Sequence, residues 1–226
     1  MTGEPRVRDL NSPASLLFYR FARVMVVLFS MRPWRVKVIG AENIPLSGPV
    51  ILAPSHRSML DITWTSGITH RRIRFMGKDT LFRVPVLGWC FTALGGFAVA
   101  RDGTDRGPLR DSLAILANGE VLTLYPEGTR QRGPAIQALQ PGAAWIAIKA
   151  GVPIIPIAIA GSEEPFRSGR RVPRFGRGVI LIGAPMHPPQ KTGGVVKRAL
   201  VNEFSDELHG ELQSLFDRAY DIRGRR

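Results

Sequence analysis

From Pro33 onward the chain alternates short apolar, β-rich runs with stretches of helical periodicity. The runs Val36–Ile39, Val50–Ala53, Ile73–Met76, Phe97–Ala100, Val121–Tyr125, Ile154–Ala160 and Val179–Ile182 read as strands. Several are apolar at every position, and a strand without a polar face is covered on both sides. The expected fold is therefore α/β: one domain with a central, mostly parallel or mixed sheet flanked by helices. Helices are predicted over Ser58–Thr69, Val86–Ala93, Gly107–Ala117 and Gly142–Lys149, the last stopped by Gly151. A closing helix from Thr192 to Tyr220 carries Val196, Leu200, Phe204, Leu208, Leu212 and Phe216 at four-residue intervals, a stripe suited to packing.

The N-terminal stretch Leu16–Met31 is apolar but broken by Arg20 and Arg23, and its uninterrupted run Val24–Phe29 falls far short of the ~20 residues that span a bilayer. Ser30-Met31-Arg32-Pro33 places a cation and a proline where a secretory cleavage site would need small residues, which argues against a removed leader. Residues 1–35 read as an interfacial helical segment ahead of a domain covering 36–226. Arg20 and Arg23, three apart, would snorkel to headgroups while Phe18, Phe21, Met25, Val26 and Phe29 enter the acyl boundary. The competing expectation is a helix packed on the domain with two surface arginines.

Composition narrows the partners. In 226 residues Lys+Arg number 31 against Asp+Glu 18, a net charge of +13, which favours anionic ligands: lipid headgroups, phosphorylated metabolites or nucleic acid. Nucleic acid fits poorly, because most aromatics fall inside apolar runs and are not interleaved with basic residues on one surface. The segment Glu163–Arg177 is basic, with Arg167, Arg170, Arg171, Arg174 and Arg177, and suits contact with headgroups. The one cysteine, Cys90, rules out an intramolecular disulfide and a cysteine metal cluster, fits a reducing compartment, and lies between Trp89 and Phe91 as a small buried hydrophobe would.

Three strands run directly into polar segments. Val50–Ala53 leads to Ser55-His56-Arg57-Ser58-Met59-Leu60-Asp61, Phe97–Ala100 to Arg101, and Val121–Tyr125 to Pro126-Glu127-Gly128-Thr129-Arg130. If the strands are parallel, these segments converge outside the carboxyl ends of the sheet, where ligands of such folds sit. Residues five apart on a helix diverge by about 140°, so His56 and Asp61 meet only if His56 precedes the helix and Asp61 lies about one turn inside it. Asp61 then fixes one imidazole nitrogen and the other takes a proton from a hydroxyl. Arg101 and Arg130 suit a phosphate. Gly128 permits positive φ in a tight loop, and Glu127 either orients an acceptor or braces an arginine.

These residues resemble the glycerolipid acyltransferase family typified by the 1-acyl-sn-glycerol-3-phosphate (lysophosphatidic acid) acyltransferases. Four of its blocks appear in order: His56-x-x-x-x-Asp61, Gly95–Arg101, Tyr125–Arg130 and Val152–Ile157. The resemblance implies direct transfer of a fatty-acyl group from acyl-CoA or acyl-carrier protein to the free hydroxyl of 1-acyl-sn-glycerol 3-phosphate, giving phosphatidic acid in phospholipid biosynthesis. His56 would be the general base and Asp61 its orienting partner, without a metal or other cofactor. Arg101, Glu127, Gly128, Thr129 and Arg130 would bind the acceptor, with Lys78 and Ser58 assisting, and the fourth block would help build the acyl-binding region. The implied location is peripheral, on the cytoplasmic face of a membrane. Ser55, Ala100 and Gln140-Pro141-Gly142 depart from the family's usual asparagine, aspartate and lysine. They leave glycerol 3-phosphate, another lysophospholipid or a glycolipid as alternative acceptors, and a non-catalytic lipid-binding protein as the rival class.

Overall fold

The computed structural model describes residues 12–99, 107–164, 175–190 and 195–224. Among them, strands β1 (Lys37–Ile39), β2 (Val50–Pro54), β3 (Ile73–Lys78), β4 (Gly96–Val99), β5 (Val121–Thr123), β6 (Ile154–Ala160) and β7 (Val179–Ile182) form one sheet in the order β1-β7-β6-β2-β5-β3-β4. Every neighbouring pair is parallel except β6 and β7, so the sheet is mixed, as the apolar runs imply. The α-helices among the described residues are α1 (Pro13–Val26), α2 (Leu60–Gly67), α3 (Pro85–Ala93), α4 (Gly107–Ala117), α5 (Gly142–Ala150) and α6 (Arg198–Arg223).

Strand β2 shows why its sequence lacks a polar face. Ile51 and Ala53 pack with α4, α5 and the first half of α6, around Ile115, Ile148 and Phe204. Val50 and Leu52 point to the other side, against Trp64 of α2, Ile68 just beyond it, and Met31 and Trp34 of the N-terminal segment. The later half of α6 closes the first face over β6 and β7 through Leu212, Leu215 and Phe216. The result is three layers, with α2 and α5 on opposite faces of the sheet.

That disposition creates the site. β2 and β5 are adjacent and parallel, yet the chain leaves β2 for α2 on one face and leaves β5 for α5 on the other. A crevice opens where such connections diverge at the carboxyl ends of neighbouring strands.

The N-terminal segment differs from the expectation in which side it buries. Helix α1 starts at Ser12, whose hydroxyl accepts from Ser15 N at 3.3 Å, with Pro13 in its first turn, and continues as a wider turn over Val27–Met31. Tyr19 accepts from Ile73 N and donates to Arg71 O. Arg23 turns inward and donates to Thr69 O at 2.8 Å, satisfying a carbonyl beyond the end of α2, so it does not snorkel. Phe18 stacks obliquely on Trp89 of α3, and Val26 packs against the α2 face of the core. Of the side chains expected to face the acyl boundary, Phe21 and Phe29 are exposed, and Leu17, Val24 and Leu28 join Phe21 in an apolar stripe spaced as successive turns of one helical face. By length and composition alone, Pro13–Met31 is long and apolar enough to cross a membrane, because the two arginines do not outweigh the rest of the stretch.

Other boundaries shift for local reasons. Helix α2 begins at Leu60, because the Ser58 hydroxyl accepts from Leu60 N. Helix α6 begins at Arg198, and residues 191–194 lie outside the described residues. Cys90 is half-buried, because α3 exposes Val86 and Trp89 on its outer side. Of the basic segment, Arg167, Arg170, Arg171 and Arg174 lie outside the described residues, and Arg177 is exposed.

Candidate active site

The loop after β2 delivers His56 just ahead of α2, and Asp61 is the second residue of that helix. One carboxylate oxygen, Asp61 Oδ2, accepts from Arg57 N at 2.6 Å, Ser58 N at 2.7 Å and His56 Nδ1 at 2.9 Å. An oxygen that already receives two backbone N–H groups serves as an acceptor, so Nδ1 carries the imidazole proton. Nε2 is then the nitrogen left for a ligand, and no described residue bonds it. The His56 side chain is 12% exposed while that of Asp61 is fully buried. The ring therefore presents its free edge to the crevice, which is the geometry a general base needs.

The His56 ring stacks on Tyr125, with centroids 4.2 Å apart and planes at 28°. Burial pushes the Tyr125 phenol well above the ordinary tyrosine range, and the Asp61 charge adds to the shift. Only the neighbouring Thr65 side chain opposes it. Tyr125 is therefore a neutral plate behind the imidazole.

Glu127, two residues further on, is buried. Its oxygens accept from Arg57 Nη1 at 3.0 and 2.9 Å, from His56 N at 3.0 Å and from Gln137 N at 3.1 Å. Of the two expectations for this carboxylate, bracing an arginine is the one the geometry shows, and the arginine is Arg57. Both Glu127 oxygens are thus engaged by protein donors.

Gly128 has φ of +73°, and a Cβ there would stand 3.0 Å from Gln140 Cγ, so the turn requires glycine. Gly128, Thr129 and Arg130 are all exposed, and Arg130 engages no described residue. They lie at the carboxyl end of β5, beside the His56 loop at the end of β2. Ser58 spends its backbone N–H on Asp61 and its hydroxyl on Leu60 N. Lys78 is the last residue of β3, on the same sheet edge but beyond β5. Arg101 lies outside the described residues. Ser55 Oγ accepts from Ile159 N at 3.0 Å, tying β2 to β6 below the catalytic loop. The fourth block, entering β6, is wholly buried from Ile154 to Ile157 and belongs to the core.

Arg57 and the 131–137 loop were not legible as site residues. An arginine inside a six-residue block reads as a surface residue, since arginines are seldom fully buried unless paired. The one available signal was Glu127, a lone carboxylate between a buried strand and a glycine turn.

The acyltransferase family profile matches residues 35–160, more than half of the chain. The chain belongs to the acyltransferase family. Its relatives include the 1-acyl-sn-glycerol-3-phosphate acyltransferase of Bacillus subtilis, 28% identical over 205 residues, which cover 87% of this chain and 100% of that protein. They also include a chloroplastic 1-acyl-sn-glycerol-3-phosphate acyltransferase of Arabidopsis thaliana, 26% identical over 183 residues covering 79% of this chain. The match spans 51% of that plant protein and 55% of an algal relative from Chlamydomonas reinhardtii, about half the length of each. The crystal structure of a 1-acyl-sn-glycerophosphate acyltransferase from Thermotoga maritima superposes with a TM-score of 0.69 at 24% identity, covering 92% of this chain and 82% of that one, which shows a shared fold. Two of the four blocks that carry the family resemblance, His56–Asp61 and Tyr125–Arg130, thus meet at the carboxyl ends of β2 and β5 in this acyltransferase-family chain.

Proposed function

We propose that the protein transfers a fatty-acyl group from a thioester donor, acyl-CoA or acyl-carrier protein, to the free hydroxyl of 1-acyl-sn-glycerol 3-phosphate, with phosphatidic acid as product. The observation that carries this reading is the His56–Asp61 pair, which leaves Nε2 free at the crevice. Nε2 takes the hydroxyl proton as the oxygen attacks the thioester carbonyl, and the carbon–sulfur bond then breaks. The proton held on His56 passes to the departing thiolate, so the free thiol and the ester leave together and the imidazole returns to its starting state. No acyl-enzyme or cofactor enters this scheme. Exposed Arg130, with Arg101, supplies cations for the acceptor phosphate.

The proposed location of the reaction is a membrane surface, on its cytoplasmic side. Leu17 and Phe21 of α1 are 71% and 59% exposed, and α1 touches α3, where Val86 is 72% exposed and Trp89 half exposed. Large apolar side chains gathered on one side of a basic protein suit insertion between anionic headgroups.

The test is a panel assay in mixed micelles: purified protein with oleoyl-CoA or oleoyl-acyl-carrier protein, against lysophosphatidic acid, glycerol 3-phosphate, lysophosphatidylcholine and a glycolipid. Highest turnover with lysophosphatidic acid supports the proposed acceptor, and the preferred thioester identifies the donor. Turnover confined to another acceptor replaces this substrate while keeping the reaction class.

A further inference from the structure

His56 is held through its backbone as well as its ring. Its N–H donates to Glu127 Oε1 at 3.0 Å, and its carbonyl accepts from Gln131 N at 2.8 Å and Arg57 Nη1 at 3.2 Å. The same Arg57 Nη1 bridges both Glu127 oxygens, while Nη2 donates to Ala135 O at 3.0 Å and the guanidinium lies 4.7 Å above the Phe216 ring of α6. Both charged side chains are essentially inaccessible, 2% and 0% exposed. A buried pair is a poor source of net stability compared with apolar residues of similar volume, and its use lies in specifying one arrangement. Here that arrangement joins the loop after β2, the loop after β5 and helix α6 around a single peptide unit. A lysine has no planar fork and cannot reach Glu127, His56 O and Ala135 O together.

We infer that Arg57 is a positioning residue for His56, and that Glu127 acts with it on the histidine backbone and not on the acceptor. Asp61 sets the ring's tautomer, and the Arg57–Glu127 bridge sets where the ring stands. This inference rests on the acyl-transfer reading for its kinetic consequences, but not for its structural ones.

The experiment compares Arg57→Lys, Arg57→Met, Glu127→Gln and the double variant Arg57→Met/Glu127→Gln with the unmodified protein. It measures kcat and acceptor KM with lysophosphatidic acid and oleoyl thioester, and the ¹⁵N NMR signals of the His56 ring without substrate. The expected result is a kcat lower by about 10²-fold in Arg57→Met, the scale of a small misplacement of a catalytic group. Arg57→Lys restores part of it, acceptor KM is unchanged, and the double variant is no worse than its more damaged parent because the pair acts as a unit. The ring, a single Nδ1–H tautomer in the unmodified protein, becomes a mixture in the variants. A raised acceptor KM with kcat retained in Glu127→Gln, multiplying losses in the double variant, or an unaltered His56 ring in folded variants overturns the inference. If Arg57→Met does not fold, the near-isosteric Glu127→Gln and Arg57→Lys decide it by the same readouts. An unmodified protein without acyl-transfer activity would refute the proposed function, while the ring signals would still judge the positioning role.

Discussion

Three N–H donors converge on Asp61 Oδ2, and that convergence separates this aspartate's work from a simple helix cap. The two backbone donors fix the carboxylate, and the carboxylate then fixes the ring. Replacing Asp61 by Asn keeps the shape but puts a neutral carbonyl or an N–H group where a carboxylate oxygen took all three donors, so the imidazole loses its imposed tautomer. The expected effect of Asp61→Asn is a kcat lower by about 10²–10⁴-fold, the range that general-base catalysis supplies, with acceptor KM little changed. Steady-state kinetics check this, and a variant with normal kcat and raised KM would show that Asp61 binds substrate instead. The pair itself was legible in the sequence, because its five-residue spacing makes sense only across a strand–turn–helix junction. Arg57 was not, since nothing along the chain distinguishes a buried arginine from an exposed one until its partner is in place.

At the level of elements, the apolar runs located the seven strands among the described residues to within about two residues, the usual margin for boundaries. That success has a physical cause: strands covered on both faces leave an unmixed apolar signature. Their order was not legible, because β5 inserts between β2 and β3 only through contacts made by distant parts of the chain. Helix α1 shows the limit from the other side. Its apolar content was plain, but which residues face the domain depends on Tyr19 and Arg23 finding partners near α2 and β3. Because Leu17 and Phe21 are exposed, the double substitution Leu17→Glu/Phe21→Glu should leave the thermal unfolding midpoint nearly unchanged and reduce flotation with anionic vesicles. Undiminished flotation would move the membrane contact away from α1.

Across the whole molecule, the three tyrosines lie on α1, on the loop after β5 and on α6, and all are pushed above the ordinary range. Burial is the first cause for each, with Asp61 adding to it at Tyr125 and Glu163 at Tyr220, whereas Ile73 N, Arg23 and Arg72 oppose it at Tyr19. A phenol that keeps its proton longer in the fold than in the unfolded chain contributes stability that is complete below the unfolded value of about 10 and is lost as pH rises beyond it. Alkaline difference spectroscopy should therefore show little tyrosinate at pH 10 in the native protein, with ionisation arriving together with unfolding. Ordinary titration of one or more tyrosines in a folded chain would contradict the packing around them.

All of these features support one arrangement, an imidazole tied to Asp61 through Nδ1 with its Nε2 edge turned to the crevice between β2 and β5. The most direct measurement is acyl transfer from an oleoyl thioester to lysophosphatidic acid by the unmodified protein and by His56→Ala, following free thiol and phosphatidic acid together. Equal amounts of thiol and lipid product are expected from the unmodified protein and a loss of at least about 10²-fold in the variant, with the fold retained. Undiminished phosphatidic acid formation by folded His56→Ala would contradict it.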